Sequence, residues 1–181
     1  MFQTIIELDG RILLFIQEFL RLDWLDPIVL FLTSLGNGAI VWIVLAAFFL
    51  VQKKHQKAGL AMALSLLVGA LITNVILKNW VCRPRPYTAI PELHALVTAQ
   101  DWSFPSGHST SSIAAATAMY FRTPRTMGIP ALALAAIICL SRLYVGVHYP
   151  TDVLFGVLAG LFSAWCALQI TDSIGKKNNS Y

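Results

Sequence analysis

Uncharged apolar runs alternate along the chain with short polar knots, and the runs have the length of membrane-crossing helices. Ile28 to Val51 and Ala58 to Leu77 carry no charge, and each supplies the roughly 20 apolar residues a helix needs to cross the hydrocarbon core. Three further runs are less clean. Gly107 to Phe121 is short and opens with His108, Met127 to Val147 contains Arg142, and Pro150 to Thr171 contains Asp152. Residues 1–26 read differently: Ile5, Ile6, Leu8, Ile12, Leu13, Phe15, Ile16, Phe19 and Leu20 recur at helical spacing but are interrupted by Glu7, Asp9, Arg11, Glu18 and Arg21. That pattern predicts an amphipathic helix lying in the interface. The fold class expected is thus an all-α membrane protein, a bundle of five transmembrane helices with an N-terminal amphipathic helix, or of six if that helix also crosses. It forms a single membrane-embedded domain over 1–181, with 1–26 interfacial, 27–171 the transmembrane core and 172–181 a cytoplasmic tail.

Composition strengthens this reading. Of 181 residues, 57% are apolar and 12% charged, against roughly 45–50% and about 25% in soluble domains. A disordered chain, a soluble surface-rich domain and a coiled coil are excluded. The net charge of +4 does not imply nucleic acid, because the basic residues sit in small groups between apolar spans rather than along one face. Lys53, Lys54 and Lys57 follow the first span, Arg122 and Arg125 the third, and Lys176 and Lys177 the fifth. With alternating crossings all seven fall on one side, which the positive-inside rule makes cytoplasmic. The segment from Lys78 to Ser106 and the turn at His148 then face outward. Gly156 and Gly160 form a GxxxG pair, expected to serve tight packing within one bundle. Three cysteines without a CxxC or Cys/His pairing suggest neither metal nor disulfide.

Ionisable residues at membrane level are costly and mark functional sites. Here they fall in three blocks, all at outer ends of spans: Lys78 to Pro86, Phe104 to His108, and Ser141 to Asp152. Lys78, Arg83, Arg85 and Arg142 put up to four cations on one face with few acids nearby, and arginine forks match phosphate oxygens. Pro105-Ser106-Gly107-His108 reads as a helix start, whose free amides and dipole favour an anion. His148 precedes Asp152 by four residues, so the carboxylate can orient one ring nitrogen and leave the other free to attack. His108 can protonate the leaving oxygen. Together these residues describe phosphoryl transfer through a phosphohistidine, with Lys and Arg supplying the charge a metal would otherwise supply and no carboxylate cluster to hold one. No metal and no cofactor is expected.

The three blocks resemble the signature of the type-2 phosphatidic acid phosphatase superfamily: K-x6-R-P from Lys78 to Pro86, P-S-G-H from Pro105 to His108, and S-R-x5-H-x3-D from Ser141 to Asp152, with every signature position filled. The resemblance implies that Lys78, Arg85, Ser106, Gly107 and Arg142 bind phosphate, that His148 is the nucleophile, His108 the acid and Asp152 the partner of His148. Arg83 lies outside the strict signature. Short bacterial members with outward-facing sites are similar to undecaprenyl-diphosphate phosphatases. The expectation is therefore a metal-independent lipid-phosphate phosphatase of a bacterial inner or plasma membrane, its site extracytoplasmic and undecaprenyl diphosphate its first substrate. Phosphatidylglycerophosphate, phosphatidic acid and lipid A phosphatases are the alternatives within the family. A non-enzymatic binder or transporter of anionic lipid is the alternative outside it. No obligatory protein partner is implied. Residues Tyr87 to Trp102, with an amphipathic turn over Pro91 to Val97 and Trp80 and Trp102 as interfacial anchors, form either a lip beside the lipid entrance or a plain connecting loop.

Overall fold

Helix-forming apolar runs separated by Gly, Pro and Asn produce an all-helical chain. The computed structural model describes residues 2–178, and side chains from Thr4 to Ile174. The elements are α1 (Phe2–Phe15), α2 (Asp26–Ser34), α3 (Ile40–Val51), α4 (Gln56–Ala70), α5 (Lys78–Val81), α6 (Pro86–Ala89), α7 (Gly107–Arg122), α8 (Arg125–Tyr144) and α9 (Pro150–Asn178). A π-helical turn over Ile16–Leu20 extends α1, and another over Leu71–Leu77 joins α4 to α5 without a break.

Among the described residues, three helical stretches are long and apolar enough to cross a membrane: Gln56–Ala89, Arg125–Tyr144 and Pro150–Ile174. The first expected span divides. Gly36, Asn37 and Gly38 interrupt it, Gly38 and Ala39 adopt φ of 55° and 57°, and α2 and α3 meet at a bend of 47°. Taken together as one span, the pair makes a fourth crossing. The remaining expected span, α7, has only 16 residues. Rather than facing lipid, it is the central post of the bundle: Ala114, Ala115, Ala116 and Ala118 are fully buried, and α4, α8 and α9 pack around it. The helix α9 continues from the last span through Asn178 into the expected tail, and 179–181 lie outside the described residues.

Lipid is as apolar as leucine, so helices here associate through close packing and interhelical hydrogen bonds. A Cβ at Gly156 would stand 2.7 Å from the Ser106 carbonyl, and one at Gly160 2.7 Å from the Thr110 carbonyl. The glycine pair therefore lets α9 lie against α7 within one bundle. Trp42 on α3 donates to Ser112 Oγ on α7 (2.9 Å), and Thr73 donates to Thr110 (2.9 Å). Outward-facing side chains such as Val51, Phe121, Leu140 and Trp165 form an exposed apolar belt.

The N-terminal helix is anchored to the rest. Leu13 is buried against Leu93 and Tyr149, while Ile5, Ile6, Leu8, Phe15 and Phe19 remain exposed. Gln17 donates to the Glu92 carbonyl (2.9 Å) and accepts from the His94 amide (2.7 Å). Within Pro91 to Val97 the chain turns at Pro91 and Glu92, where the Leu93 amide donates to the Ile90 carbonyl (3.1 Å), and is irregular beyond; the neighbouring turn of helix is α6, started by Pro86. Trp80 and Trp102 are both exposed, as interfacial anchors would be.

Candidate active site

The three polar blocks meet at one end of the bundle. Lys78 arrives on the last turn of the long α4–α5 helix, Arg85 on the extended residue before α6, His108 on the first turn of α7, Arg142 on the last turn of α8, and His148 on the turn before α9. They line a cleft of about 370 Å³ together with Asn74, Asp101 and Gly107. Its other wall is apolar, built from Ala39 at the break, Ile43 of α3, and Leu66 and Ala70 of α4. Ile43 is itself 52% exposed, so the cleft reaches the outer face of the bundle.

The charge inside is strongly unbalanced. Lys78, Arg85 and Arg142 are buried, and Asp101 is the one carboxylate lining the cleft with them. Arg142 makes a single side-chain hydrogen bond among the described residues, to Thr33 Oγ1 (2.6 Å), and its buried Nε is unpaired. A buried guanidinium with free donors is well suited to an anion. The Gly107 and His108 amides open α7 and have no intrahelical acceptor, which adds donors beside the same cleft.

His148 is buried, and its two nitrogens have distinct neighbours. Arg85 Nη1 donates to Nε2 (2.9 Å) and to the Val147 carbonyl (2.8 Å). A guanidinium can only donate, so Nε2 carries the lone pair and Nδ1 the proton. Nδ1 faces Asp152 Oδ2 at 3.5 Å, an ion-pair distance slightly long for a formed hydrogen bond. Burial, reinforced by Arg85 and Arg142 and opposed by Asp152, pushes the His148 imidazole down to about 4. Burial thus favours the neutral ring, the form of an imidazole that can attack. Asp152 is held from three further directions: its Oδ2 accepts from Ser103 Oγ and from the Tyr149 amide (3.0 Å), and its Oδ1 from Arg83 Nη1 (2.7 Å).

His108 stands across the cleft, its Nε2 3.0 Å from Asn37 Oδ1. The break in the first span thus has a local consequence, because it brings Gly36 and Asn37 beside this ring.

Two expected phosphate ligands lie elsewhere. Arg83 is turned away from the cleft, its fork spent on Asp152 Oδ1 (2.7 Å), Thr151 Oγ1 (2.7 Å) and Asp9 Oδ2 (2.7 Å), and it lies 3.7 Å over the Tyr149 ring. It holds a carboxylate rather than an anion in the cleft. The Ser106 hydroxyl is the N-cap of α7, accepting from the Ser109 amide (3.3 Å) and Ser109 Oγ (3.0 Å), so the block supplies amides to the cleft while its serine closes the helix. Conversely, Asp101 was not anticipated. Its Oδ1 pairs with Arg85 Nη2 at 2.5 Å and its Oδ2 with Lys78 Nζ. Burial opposes its ionisation, but Lys78 and Arg85 hold its carboxyl down to about 2. Asn37, Asn74, Ser103 and Asp9 also escape sequence reasoning, since none belongs to a spaced motif.

Comparison with known proteins agrees with this geometry. The family model described as PAP2 superfamily matches residues 57–176. The undecaprenyl-diphosphatase of Sulfolobus acidocaldarius is 30% identical over 147 residues, covering 81% of this chain and 70% of that protein. Undecaprenyl-diphosphatase BcrC of Bacillus subtilis is 33% identical over 149 residues, covering 82% and 76%. Among solved structures, the transmembrane PAP2-type phosphatidylglycerolphosphate phosphatase of Bacillus subtilis superposes with a TM-score of 0.77 at 28% identity, over 94% of this chain and 88% of that one. The chain is a helical membrane phosphatase. It belongs to the PAP2 superfamily.

Proposed function

We propose that this protein hydrolyses a lipid (di)phosphate at the extracytoplasmic leaflet through a phosphohistidine on His148, with undecaprenyl diphosphate as its substrate. The observation that carries the reading is the two-sided cleft: buried cations and imidazoles at one end, an apolar wall reaching the lipid-facing surface at the other. A soluble phosphate ester would have no use for that wall.

Lys78, Arg85, Arg142 and the first amides of α7 hold the terminal phosphoryl group and stabilise the charge that develops on its equatorial oxygens. Phosphate draws Arg85 away from His148, freeing the Nε2 lone pair. Nε2 then attacks phosphorus as the bond to the lipid-side oxygen breaks, and that oxygen takes a proton from His108. Asp152 stabilises the positive charge on the phosphorylated imidazole through Nδ1–H. Water next gives its proton to His108 and its oxygen to phosphorus, releasing phosphate and restoring His148. The cations do the electrostatic work, and no step calls for a metal. The whole chain acts as one membrane-embedded domain of five crossings, α7 among them, with 1–26 lying in the outer interface and the basic loops cytoplasmic.

The similarity to a phosphatidylglycerolphosphate phosphatase over 94% of the chain supports a glycerolipid phosphate as the second reading. Phosphate release by detergent-purified protein in EDTA separates the two. Undecaprenyl diphosphate, phosphatidylglycerophosphate and phosphatidic acid are supplied in parallel, with His148→Ala as control. Preference for the diphosphate is the expected result; preference for a glycerolipid moves the protein to phospholipid synthesis, and equal turnover by His148→Ala removes the nucleophile.

A further inference from the structure

We infer that Asp9, on the N-terminal helix, is a positioning residue for catalysis, acting on Asp152 through Arg83. The inference rests on the proposed roles of His148 and Asp152. It concerns a part of the chain outside the 57–176 covered by the family match.

Asp9 is an acid buried to 2% exposure on a helix whose remaining faces are apolar or solvated. Its Oδ2 accepts from Arg83 Nη2 (2.7 Å) and from Thr151 Oγ1 (2.5 Å), and its Oδ1 from the Thr151 amide (3.1 Å). Arg83 thus bridges two buried carboxylates, one nitrogen on Asp9 and the other on Asp152. A planar fork pinned at both ends cannot rotate. Arg83 therefore fixes Oδ1 of Asp152 and, with it, the plane that presents Oδ2 to His148 Nδ1 at 3.5 Å.

Charge balance gives Asp9 a second role. Arg83 alone would nearly cancel Asp152, leaving little negative charge to support a cationic, phosphorylated His148. Asp9 neutralises Arg83 from behind, so the trio keeps one net negative charge, in a place where burial limits screening. The same contacts bind α1 to the start of α9 at Thr151, so docking of the N-terminal helix and alignment of the catalytic pair are one event.

The test is a double-mutant cycle in the full chain, assayed on whichever lipid of the panel above the wild type hydrolyses. Asp9→Asn should lower kcat about tenfold, a fraction of the loss that a full ångström of misplacement causes, with KM and vanadate inhibition within about twofold because the cradle is untouched. In an Asp152→Asn background the same change should cost less than about twofold, since the group it acts through is already gone. Arg83→Lys keeps the charge but cannot fork to both carboxylates. It should reproduce the kcat loss and the non-additivity, and it carries the cycle if Asp9→Asn fails to fold. Equal losses in both backgrounds would overturn the inference, as would an unchanged kcat. A wild type inert on every lipid would instead sink the reading of the site itself, and this role with it.

Discussion

Gly36→Ala places one methyl group against the proposed general acid and the Ile138 side chain behind it. Gly36 has φ −84°, a conformation alanine adopts freely, so the backbone does not resist. The added Cβ would lie 2.6 Å from His108 Cδ2 and 3.0 Å from Ile138 Cγ2. Carbon atoms rest at about 3.5–4.0 Å, so the imidazole must retreat by about 1 Å, away from the Asn37 oxygen that now holds its Nε2 at 3.0 Å. Misplacement on that scale costs about a hundredfold in rate, or about 2.7 kcal/mol of transition-state stabilisation. The assay compares two leaving groups. Phosphatidic acid releases an alkoxide that needs a proton, whereas p-nitrophenyl phosphate releases a phenolate that does not. In a single turnover, before water attacks the phosphoenzyme with His108 as base, the variant should lose about a hundredfold in the rate of leaving-group release on the first and less than about tenfold on the second, because only the first depends strongly on general acid catalysis. Equal losses on both would mean that His108 does something other than protonate the leaving oxygen. An unchanged release rate on phosphatidic acid would refute its placement as the acid.

Asp101→Asn removes the carboxylate that competes with phosphate for Lys78 and Arg85. Vanadate and product phosphate should inhibit about tenfold more tightly, since one lost charge-assisted contact is worth about 1.5 kcal/mol; weaker inhibition would show that Asp101 aligns the cations instead. His148 is depressed from 6.5 to about 4 by burial, so the folded protein holds it neutral where the unfolded chain protonates it. Its contribution to stability is full above about pH 6.5 and falls as pH drops from there toward 4. The His148 ring resonance, assigned by its loss in His148→Ala, should keep its neutral shift from pH 8 to 5, and a midpoint near 6.5 would contradict the burial argument. Turnover should persist in EDTA, and its loss in EDTA with restoration by Mg²⁺ would overturn the metal-free mechanism.

The cleft was legible in the sequence where chemistry repeats at short fixed spacing. His148 and Asp152 are four residues apart at a helix start, and Pro105 to His108 carry a cap and a glycine, so local order alone brings them near one another. Arg83 shows the limit of that reasoning: its spacing from Lys78 and Arg85 gives no sign of which way its fork points, and the buried partners Asp9 and Asp152 decide it. Asp101 and Asn37 come from stretches without periodicity and become functional only through tertiary contact. Asp9 is equally silent in the sequence, one of several charges interrupting an apolar helix, and only its tertiary contacts with Arg83 and Thr151 single it out. The central α7 was visible as a helix, but its interior position was not, because a short Ala- and Ser-rich run reads as a poor span until neighbours are known to shelter it.

The shortness of α7 fixes a depth. Sixteen residues make a rod of about 24 Å, whereas the hydrocarbon layer measures about 30 Å. In the orientation proposed above, which sets Arg122 at the cytoplasmic boundary, the first turn of α7 and the cleft beside it stop several ångströms below the outer headgroup plane. The lipid must therefore sink its phosphate toward the bilayer interior, shedding bulk water on the way. On that reading a compact terminal phosphate descends at less cost than one capped by a large hydrated head, because each polar group taken out of water without a partner is costly.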